Sequence, residues 1–507
     1  MVVRFAPSPT GPLHIGGVRT ALYNYLLARK HGGRFILRIE DTDQTRFVPG
    51  AEEYIIEALT WCGIEFDEGP HIGGPHAPYR QSERKALYAQ YAHLLVERGW
   101  AYYAFDTESE LEEMRQRFEA AGMVAPQYNA VTRPYMKNSL TLPPEEVQER
   151  LRTQPYVVRF LVPRGREVRF YDEIRGWVSV HTKEMDDKVL LKSDGMPTYH
   201  LANVVDDHLM RVTHVIRGEE WLPSTPLHVL LYEAFGWERP KFAHLPLLLR
   251  PDGGGKLSKR DGDQLGFPVF PLQWRDPQTG ETSEGYRERG FLPEGVVNYL
   301  ALLGWHPAEE REIFTIDELI EAFSLERVSK AGARFDFEKA RWVNQQHLRA
   351  LPLRRLAELI RPLWESRRLP PVPENSLMAL IELARERATL LPEIIEAVRF
   401  YYEPPTFPLP DQQGAKLNLA LVEELPEWIG ELVELEPWTA EDVERFIRRK
   451  AEARGLPIGK VLPTLRLALT GDVSGPSLYK IMEVLGRGET ITRLERFLAA
   501  YGVQRQV

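Results

Sequence analysis

The stretch from Arg4 to Gly17 constrains the fold most strongly, because it reads as a strand, a tight turn and the start of a helix. Its letters are RFAPSPTGPLHIGG, and the following VRTALYNYLLARK repeats apolar residues at helical spacing. Gly16 and Gly17 allow a ligand to approach the backbone, and His14 adds a ring donor. A new helix also directs unpaired N–H groups and its positive dipole end toward an anion. This pattern fits a nucleotide phosphate, although plain strand–helix packing uses similar glycine-rich turns.

A second stretch, residues 251–262, reads PDGGGKLSKRDG. Its glycine run can hinge a loop in which Lys256, Lys259 and Arg260 surround Ser258. Alone, this stretch could equally be a solvated basic turn. Together with the N-terminal turn it indicates a site for phosphate groups.

The pair HIGG and KLSKR resembles the HIGH and KMSKS motifs of class I aminoacyl-tRNA synthetases. The stretches RIEDTD, APYRQSE, DKVLLKSDGMPTYHLANVVDDH and VIRGEEWLPSTPLH, together with RFAPSPTGPLHIGG, narrow the resemblance to bacterial glutamyl-tRNA synthetases. It covers essentially the whole chain. Gly17 departs from the class motif, in which His is more usual at this position. We therefore assign phosphate contact to His14 and expect the backbone at Gly17 to supply the rest.

The resemblance implies ATP-dependent attachment of L-glutamate to tRNA(Glu) in two steps. Glutamyl-adenylate forms with release of pyrophosphate, and the glutamyl group then moves to the terminal adenosine of the tRNA, leaving AMP. Positioning and charge stabilisation dominate such chemistry. Lysines on a hinged loop can close over the phosphates mainly in the transition state. We predict His14, Lys256 and Lys259 as catalytic residues, Gly16, Gly17, Ser258 and Lys259 as ATP-binding residues, and Mg²⁺ as the ion that accompanies ATP.

For the amino acid, the resemblance implies a binding set of Arg4, Ser8, Glu40, Tyr199, Asn203 and Arg217. Glutamate carries two carboxylates and one ammonium, which suit guanidinium groups and an acid respectively. An arginine has only donors, so a glutamine amide turned toward it would place N–H against N–H. Without the resemblance, Glu40 would read as an exposed acidic turn and Arg4 as a surface strand residue.

The pattern of elements predicts an α/β fold. The pattern indicates a doubly wound parallel (Rossmann-type) sheet with an α+β insertion and an all-α C-terminal region. The resemblance implies that the insertion is an acceptor-binding domain, that a stem-contact region follows the sheet and that the all-α region binds the anticodon. The run VVRFLVPRGREVRFYDEIRGWVSVH predicts an antiparallel sheet in the insertion. The predicted segments are 1–100 and 199–255 for the two halves of the catalytic fold, 101–198 for the insertion, 256–335 for the KLSKR loop and stem-contact domain, and 336–400 and 401–507 for two helical anticodon modules. The role of residues 263–287, an excursion rich in Pro, Gly and charge, stays open.

The charge of −9 places no obstacle to RNA binding, because RNA affinity comes from local basic surfaces. Candidates are the loop around Lys256 to Arg260, the helix Arg445 to Arg454, and the pair Arg385 and Arg387, although each could be a solvated helix face. The resemblance associates Arg387 with reading the third anticodon base.

The single cysteine, Cys62, gives no disulfide framework and no CxxC pair. Some glutamyl-tRNA synthetases carry cysteines for zinc near AYYAFDTESE, where this chain has Tyr, Ala and Phe. We therefore predict no metal site and no structural zinc. No apolar run is long enough for a bilayer and no leader pattern precedes the first strand, so we expect a cytoplasmic protein without a membrane partner. We also expect a monomer.

Three other functions fit the sequence less well. A pantothenate-type ATP-dependent ligase would share the turn and the basic loop, but would have no use for the C-terminal helices. A truncated paralogue that glutamylates a tRNA base resembles only the catalytic half. A non-enzymatic RNA-binding protein would be expected to lose His14 or the lysines of KLSKR. The sequence leaves open the discrimination against tRNA(Gln), the tRNA identity elements and any need for tRNA in glutamate activation.

Overall fold

The first strand and helix lie where the sequence predicts them. In the computed structural model, which describes residues 1–410 and 417–501, strand Val2–Phe5 leads through the proline-rich turn into helix Ile15–Lys30. Contacts divide the chain into two units, one formed by residues 1–288 and 296–337 and the other by residues 289–295 and those from 338 onward.

The catalytic sheet is built from parallel pairs. Strand Val2–Phe5 pairs with Arg34–Leu37, and strand His214–Gly218 pairs with Lys241–Leu245. Thr213 joins the two pairs, since its backbone N–H donates to the Val2 carbonyl and its hydroxyl accepts from the Val2 N–H, both at 2.9 Å. The predicted Rossmann-type α/β fold is confirmed. Helices cover the sheet, and its strands are almost wholly buried, as expected for parallel strands.

The predicted antiparallel sheet of the insertion is divided between two sheets. Strand Val157–Phe160 pairs with Ala101–Ala104 and Val189–Leu191, whereas the hairpin Glu167–Asp172 and Gly176–His181 joins the catalytic sheet. Asp172 pairs in parallel with Phe242. The catalytic sheet is therefore mixed rather than wholly parallel. The boundaries 101–198 of the inserted domain stay a prediction.

The other elements of the first 336 residues are short. The remaining helices are Ala51–Trp61, Lys85–Glu97, Glu108–Ala120, Pro144–Thr153, Tyr199–Leu209, Thr225–Phe235, Lys259–Leu265, Tyr286–Arg289, Pro293–Ala301 and Ile316–Ala322. Strands Leu248–Leu249 and Ala333–Arg334 pair in parallel, and Trp274–Arg275 and Thr282–Ser283 form an antiparallel ribbon within residues 263–287.

The second unit is helical, as predicted for the C-terminal region. Its helices are Phe337–Ala350, Leu353–Ser366, Glu374–Ala384, Leu391–Ala397, Arg399–Tyr402, Leu419–Val433, Ala440–Ala453, Ile458–Thr470 and Leu478–Tyr501. The last helix is interrupted at Gly486, where φ is 79°. Its Ile481 belongs to a buried cluster with Leu356 and Leu380, while its Met482 belongs to a second cluster with Trp428.

None of the helices within the described ranges combines the length and the apolar character needed to cross a lipid bilayer. Cys62 is buried, which raises the pKa of its thiol to about 12. In the described part of the chain, no three His, Cys, Asp or Glu side chains are grouped so that they could hold a metal ion. The absence of zinc stays a prediction.

Trp428→Ala tests the second buried cluster. The indole is fully buried, so its removal leaves a cavity and should lower the free energy of unfolding by about 3–5 kcal/mol. Urea unfolding followed by circular dichroism measures the change. The exposed Val433 on the same helix provides the control, since Val433→Ala should stay within about 0.5 kcal/mol of the parent. Equal effects of the two substitutions would contradict the packing.

Candidate active site

A cavity of about 750 Å³ lies at the carboxyl ends of the parallel strands. Each of the four strands runs into a loop whose residues line it, which is where open α/β sheets bind ligands. The lining includes all the predicted site residues except Ser258 and Arg387, namely Arg4, Ser8, His14, Gly16, Gly17, Glu40, Tyr199, Asn203, Arg217, Lys256 and Lys259.

His14 caps the first helix and offers one ring donor to the cavity. Its Nδ1 accepts the Gly16 N–H at 3.1 Å, so the proton of the neutral ring resides on Nε2. Burial and the nearby Lys256 charge lower the pKa of His14 to about 4, and the ring is neutral at pH 7. Nε2 has no hydrogen-bond partner among the described residues. This Nε2–H is therefore available to an acceptor in the cavity.

The backbone amides of this turn already have partners. The Ile15 N–H donates to the Val269 carbonyl at 3.0 Å, and the Gly17 N–H donates to the His14 carbonyl at 2.8 Å. A Cβ at Gly17 would lie 2.5 Å from Leu13 Cδ1. A side chain at Gly17 would therefore require Leu13 to move. Gly17 also lines the cavity, and its predicted contact with ATP stays a prediction.

The KLSKR loop is shaped by glycines and closed by a helix cap. Gly253 and Gly255 have φ values of 78° and 135°, which favour glycine. Ser258 caps helix Lys259–Leu265, donating its hydroxyl to Asp261 Oδ2 at 2.6 Å. Ser258 therefore orders the loop, and its predicted contact with ATP stays untested.

Both loop lysines form ion pairs at the surface of the cavity. Lys256 Nζ lies 3.1 Å from Glu220, and Lys259 Nζ lies 3.1 Å from Glu281 of the excursion. Lys256, Glu220 and Glu281 are exposed, and Lys259 is partly exposed. Exposed ion pairs contribute only about 0–1 kcal/mol, so both ammonium groups can leave for a stronger anion.

Arg217 is held by several polar side chains. It donates to Tyr199 Oη at 2.7 Å, to Thr225 Oγ1 at 3.0 Å and to His244 Nε2 at 3.0 Å. Burial raises the pKa of Tyr199 to about 12, so its hydroxyl keeps a proton to donate. Tyr199 also lies against Trp221, with ring centroids 4.3 Å apart.

Arg4 and Glu40 are buried, so the exposed positions that their local sequence alone would suggest are wrong. Arg4 binds Asp207 through two hydrogen bonds of 2.9 and 3.1 Å. Glu40 accepts from Arg38 at 3.0 Å and from Asn203 at 3.2 Å. Burial raises the pKa of Glu40, although the charges of Arg38 and Arg4 act in the opposite direction.

Sequence reasoning missed Arg38, Asp207 and the excursion. Arg38 is fully buried and also donates to Asp207 at 2.7 Å. Burial alone would raise the pKa of Asp207, but Arg4 and Arg38 hold it below its usual value. From residues 263–287, Phe270 and Trp274 line the cavity. Arg38 follows an apolar strand in FILRIE, and Asp207 follows apolar residues of a helix in LANVVDDH. A charged residue next to such apolar runs could have indicated a buried ion pair.

Arg387 lies in the second unit, exposed, after helix Glu374–Ala384. No ion pair of its side chain is found among the described residues, and its charge helps to lower the pKa of the half-buried Arg466, for which burial is the larger cause. The candidate basic helix Ala440–Ala453 is different, because its cations face carboxylates. Lys450, for example, contacts Glu427 and Glu431 at 2.6 and 2.8 Å.

Comparison with known families gives two matches. Residues 1–342 match tRNA synthetases class I (E and Q), catalytic domain, and residues 355–498 match an anticodon binding domain. The glutamate–tRNA ligase of Amoebophilus asiaticus is 54% identical over 499 residues, covering 98% of this chain and 97% of that protein. The glutamate–tRNA ligase of Porphyromonas gingivalis strain W83 is 54% identical over 509 residues, covering 99% of both chains.

Two solved structures resemble the whole chain. The glutamate tRNA ligase of Elizabethkingia meningosepticum, in complex with its amino acid, has a TM-score of 0.94 at 50% identity and covers 99% of both chains. The glutamate–tRNA synthetase of Elizabethkingia anophelis has a TM-score of 0.91 at 50% identity, covering 98% of this chain and 99% of its own. The motif-based prediction is confirmed, and the chain belongs to the glutamate–tRNA ligases of the class I tRNA synthetase family.

Proposed function

We propose that this chain attaches L-glutamate to tRNA(Glu) at the expense of ATP. The observation that carries the proposal is the cavity of about 750 Å³ at the strand ends, which brings His14, both loop lysines and Arg217 to one place. Cationic and neutral donors suited to a triphosphate thus adjoin groups suited to a dicarboxylic amino acid.

In the first step, the α-carboxylate of glutamate attacks the α-phosphorus of ATP. The new P–O bond forms as the bond to pyrophosphate breaks, giving glutamyl-adenylate. The attacking carboxylate is already ionised, so the step needs no general base. Mg²⁺ bound to ATP would neutralise part of the phosphate charge. The chain's own task is to align the two anions and to stabilise charge that develops on the leaving group.

Lys256 and Lys259 are suited to the leaving pyrophosphate. Their present partners, Glu220 and Glu281, hold them by exposed ion pairs only. A triphosphate offers more negative charge than one carboxylate, so closure of the loop would transfer both ammonium groups to it. His14 would contribute its Nε2–H from the turn opposite.

Glutamate selection is assigned to Arg4, Ser8, Glu40, Tyr199, Asn203 and Arg217, which all line the cavity. Arg4 uses Nε and one terminal nitrogen on Asp207, which leaves its other terminal nitrogen for a substrate carboxylate. Glu40 would receive the ammonium group, whose charge favours the ionised carboxylate. Arg217 would receive a second carboxylate and reject an amide, because a guanidinium group can only donate.

In the second step, a ribose hydroxyl of the terminal adenosine attacks the mixed anhydride and releases AMP. We assign the acceptor end of the tRNA to residues 101–198, the stem to residues 256–335, and the anticodon to the helical modules 336–400 and 401–507. The exposed Arg387 beside Arg466 supports the last assignment, because two guanidinium groups close together favour an anionic or stacked-base partner. We further infer a monomer, since one chain holds both the cavity and the helical region. A cytoplasmic location and the absence of structural zinc stay predictions from the sequence.

Lys259→Ala should slow glutamate-dependent pyrophosphate exchange by raising its activation free energy by roughly 2–4 kcal/mol, because the substitution removes a charge that acts mainly in the transition state. The assay contains tRNA(Glu) so that it is valid whether or not tRNA is required. Lys241→Ala, an exposed lysine at the far end of a strand, is the control and should match the parent. A raised KM with unchanged kcat would contradict the transition-state role.

His14→Asn separates the cap from the donor. Asparagine is a good helix cap and can accept the Gly16 N–H, but it does not reproduce the donor at Nε2. We expect nearly parental thermal stability and a fall of roughly 10²–10³-fold in kcat for pyrophosphate exchange. Retained activity in this variant would assign His14 to capping alone.

Arg387→Ala should raise the KM for tRNA(Glu) or change the ratio of charging between the Glu and Gln tRNAs. The change should correspond to the loss of one base contact, roughly 1–3 kcal/mol of binding free energy. The KM values for ATP and glutamate should not change. Steady-state charging with both tRNAs measures this. Arg355→Ala is the matched control, an exposed arginine of the same unit that is paired with Glu358. If both variants charge both tRNAs like the parent, Arg387 does not belong to the recognition surface.

A further inference from the structure

Two buried polar side chains, His244 and Asp172, are hydrogen-bonded in series to Arg217 on its side away from the cavity. Arg217 Nε donates to His244 Nε2 at 3.0 Å, and His244 Nδ1 lies 2.6 Å from Asp172 Oδ2. Asp172 and His244 are 0% exposed. Neither side chain lines the cavity, so neither contacts the substrate directly.

The guanidinium group of Arg217 sets which atom donates in each of these hydrogen bonds. Arginine only donates, so the His244 Nε2 that faces Arg217 must be a lone pair. The ring proton is then on Nδ1 and is donated to Asp172. Burial lowers the pKa of His244 to about 4, which keeps the ring neutral at pH 7. The Asp172 carboxylate therefore selects the one tautomer that Arg217 can use.

Asp172 is itself anchored on its other oxygen. Its Oδ1 accepts the backbone N–H groups of Ile174 and Arg175 at 3.0 and 2.8 Å, within the turn of the hairpin Glu167–His181. Burial acts to raise the pKa of Asp172, but the hydrogen bonds from His244 and from these amides lower it below its usual value. The carboxylate is thus ionised and unable to rotate freely.

Strand register brings the three residues into line. Asp172 pairs with Phe242 on strand Lys241–Leu245, and on the other side of that strand His244 pairs with Arg217. The terminal nitrogens of Arg217 are also held, by Thr225 at 3.0 Å and by Tyr199 at 2.7 Å. His228 Nδ1 lies 3.4 Å from the same terminal nitrogen as Tyr199. The guanidinium plane therefore has one supported orientation.

We propose that the Asp172–His244 pair is a positioning element that holds Arg217 for recognition of the glutamate carboxylate. The inference rests on the proposed contact between Arg217 and glutamate. With Nε bound from behind, only the terminal nitrogens face the substrate, and the guanidinium group cannot turn to accommodate an amide. Preference for glutamate over glutamine thus depends on two residues that do not touch either amino acid.

Asp172→Asn tests the tautomer directly. An asparagine N–H can donate to His244 Nδ1, which moves the ring proton to Nε2 and points it at the Arg217 N–H. We expect the KM for glutamate in tRNA charging to rise roughly tenfold to a hundredfold, with kcat and the KM for ATP within about threefold of the parent. Discrimination against glutamine should fall in the same variant.

A matched control separates positioning from stability. Asp187 is another fully buried aspartate, bonded to Tyr102 and Arg133 at 2.6 and 2.7 Å. Asp187→Asn should perturb folding in a similar way but leave the KM for glutamate unchanged. If Asp172→Asn fails to fold, His244→Gln and His244→Leu replace it, because glutamine can still accept the Arg217 N–H and leucine cannot. Glutamine should then retain a clearly lower KM for glutamate than leucine.

Arg217→Ala distinguishes the two possible failures. If this variant keeps the parental KM for glutamate, the proposed glutamate site is wrong. If it raises the KM while folded Asp172→Asn does not, and the two His244 variants behave alike, the pair has no positioning role and the inference is overturned. A raised KM in Arg217→Ala and Asp172→Asn, with Asp187→Asn unchanged, supports it.

Discussion

The buried ion pairs of Arg38 are the interaction on which the cavity depends. Arg38 follows one strand, Asp207 lies on helix Tyr199–Leu209, and their 2.7 Å contact joins sheet and helix below the proposed glutamate site. Arg38 also holds Glu40, and Asp207 also holds Arg4. Removing one partner of such a buried set leaves an uncompensated charge and costs about 3–5 kcal/mol. The positions of Arg4 and Glu40, both proposed to bind glutamate, therefore depend on the same buried contacts.

Asp206 adds further buried hydrogen bonds next to those of Arg38 and Asp207. Asp206, beside Asp207, accepts from Gln81 at 3.0 Å, from Arg84 at 2.9 Å and from Tyr88 at 2.6 Å. Hydrogen bonds between buried groups restrict the arrangements that the side chains can adopt. In this network Arg38 Nε and Gln81 Oε1 have no hydrogen-bond partner among the described residues. The buried polar groups around Arg38, Asp206 and Asp207 thus give the cavity a defined shape before any ligand binds. Such preorganisation is what a reaction governed by alignment of two anions requires.

The sequence predicted the parts of the site that lie close together along the chain. HIGG and KLSKR can each be recognised from about a dozen consecutive residues, and residues of both motifs line the cavity. The contacts that it could not predict join distant residues, such as Arg38 with Asp207 and His244 with Asp172. Periodicity also predicted antiparallel strands in the insertion but not their division between two sheets, because register between separate segments leaves no local pattern. For Gly17 the structure adds a constraint that the motif did not show, since a Cβ there would require Leu13 to move.

The last helix, Leu478–Tyr501, contributes to both buried clusters of the helical region, and this affects the order in which that region can form. Ile481 completes the core built on Leu356 and Leu380, although about 80 residues separate it from the end of helix Arg399–Tyr402. Met482 and Phe497 complete the other core. Because ribosomes release the N-terminal part of a chain first, neither core is complete until the final helix has been synthesised. The two cores therefore close late and together, and a chain that stops short of residue 478 leaves both of them open.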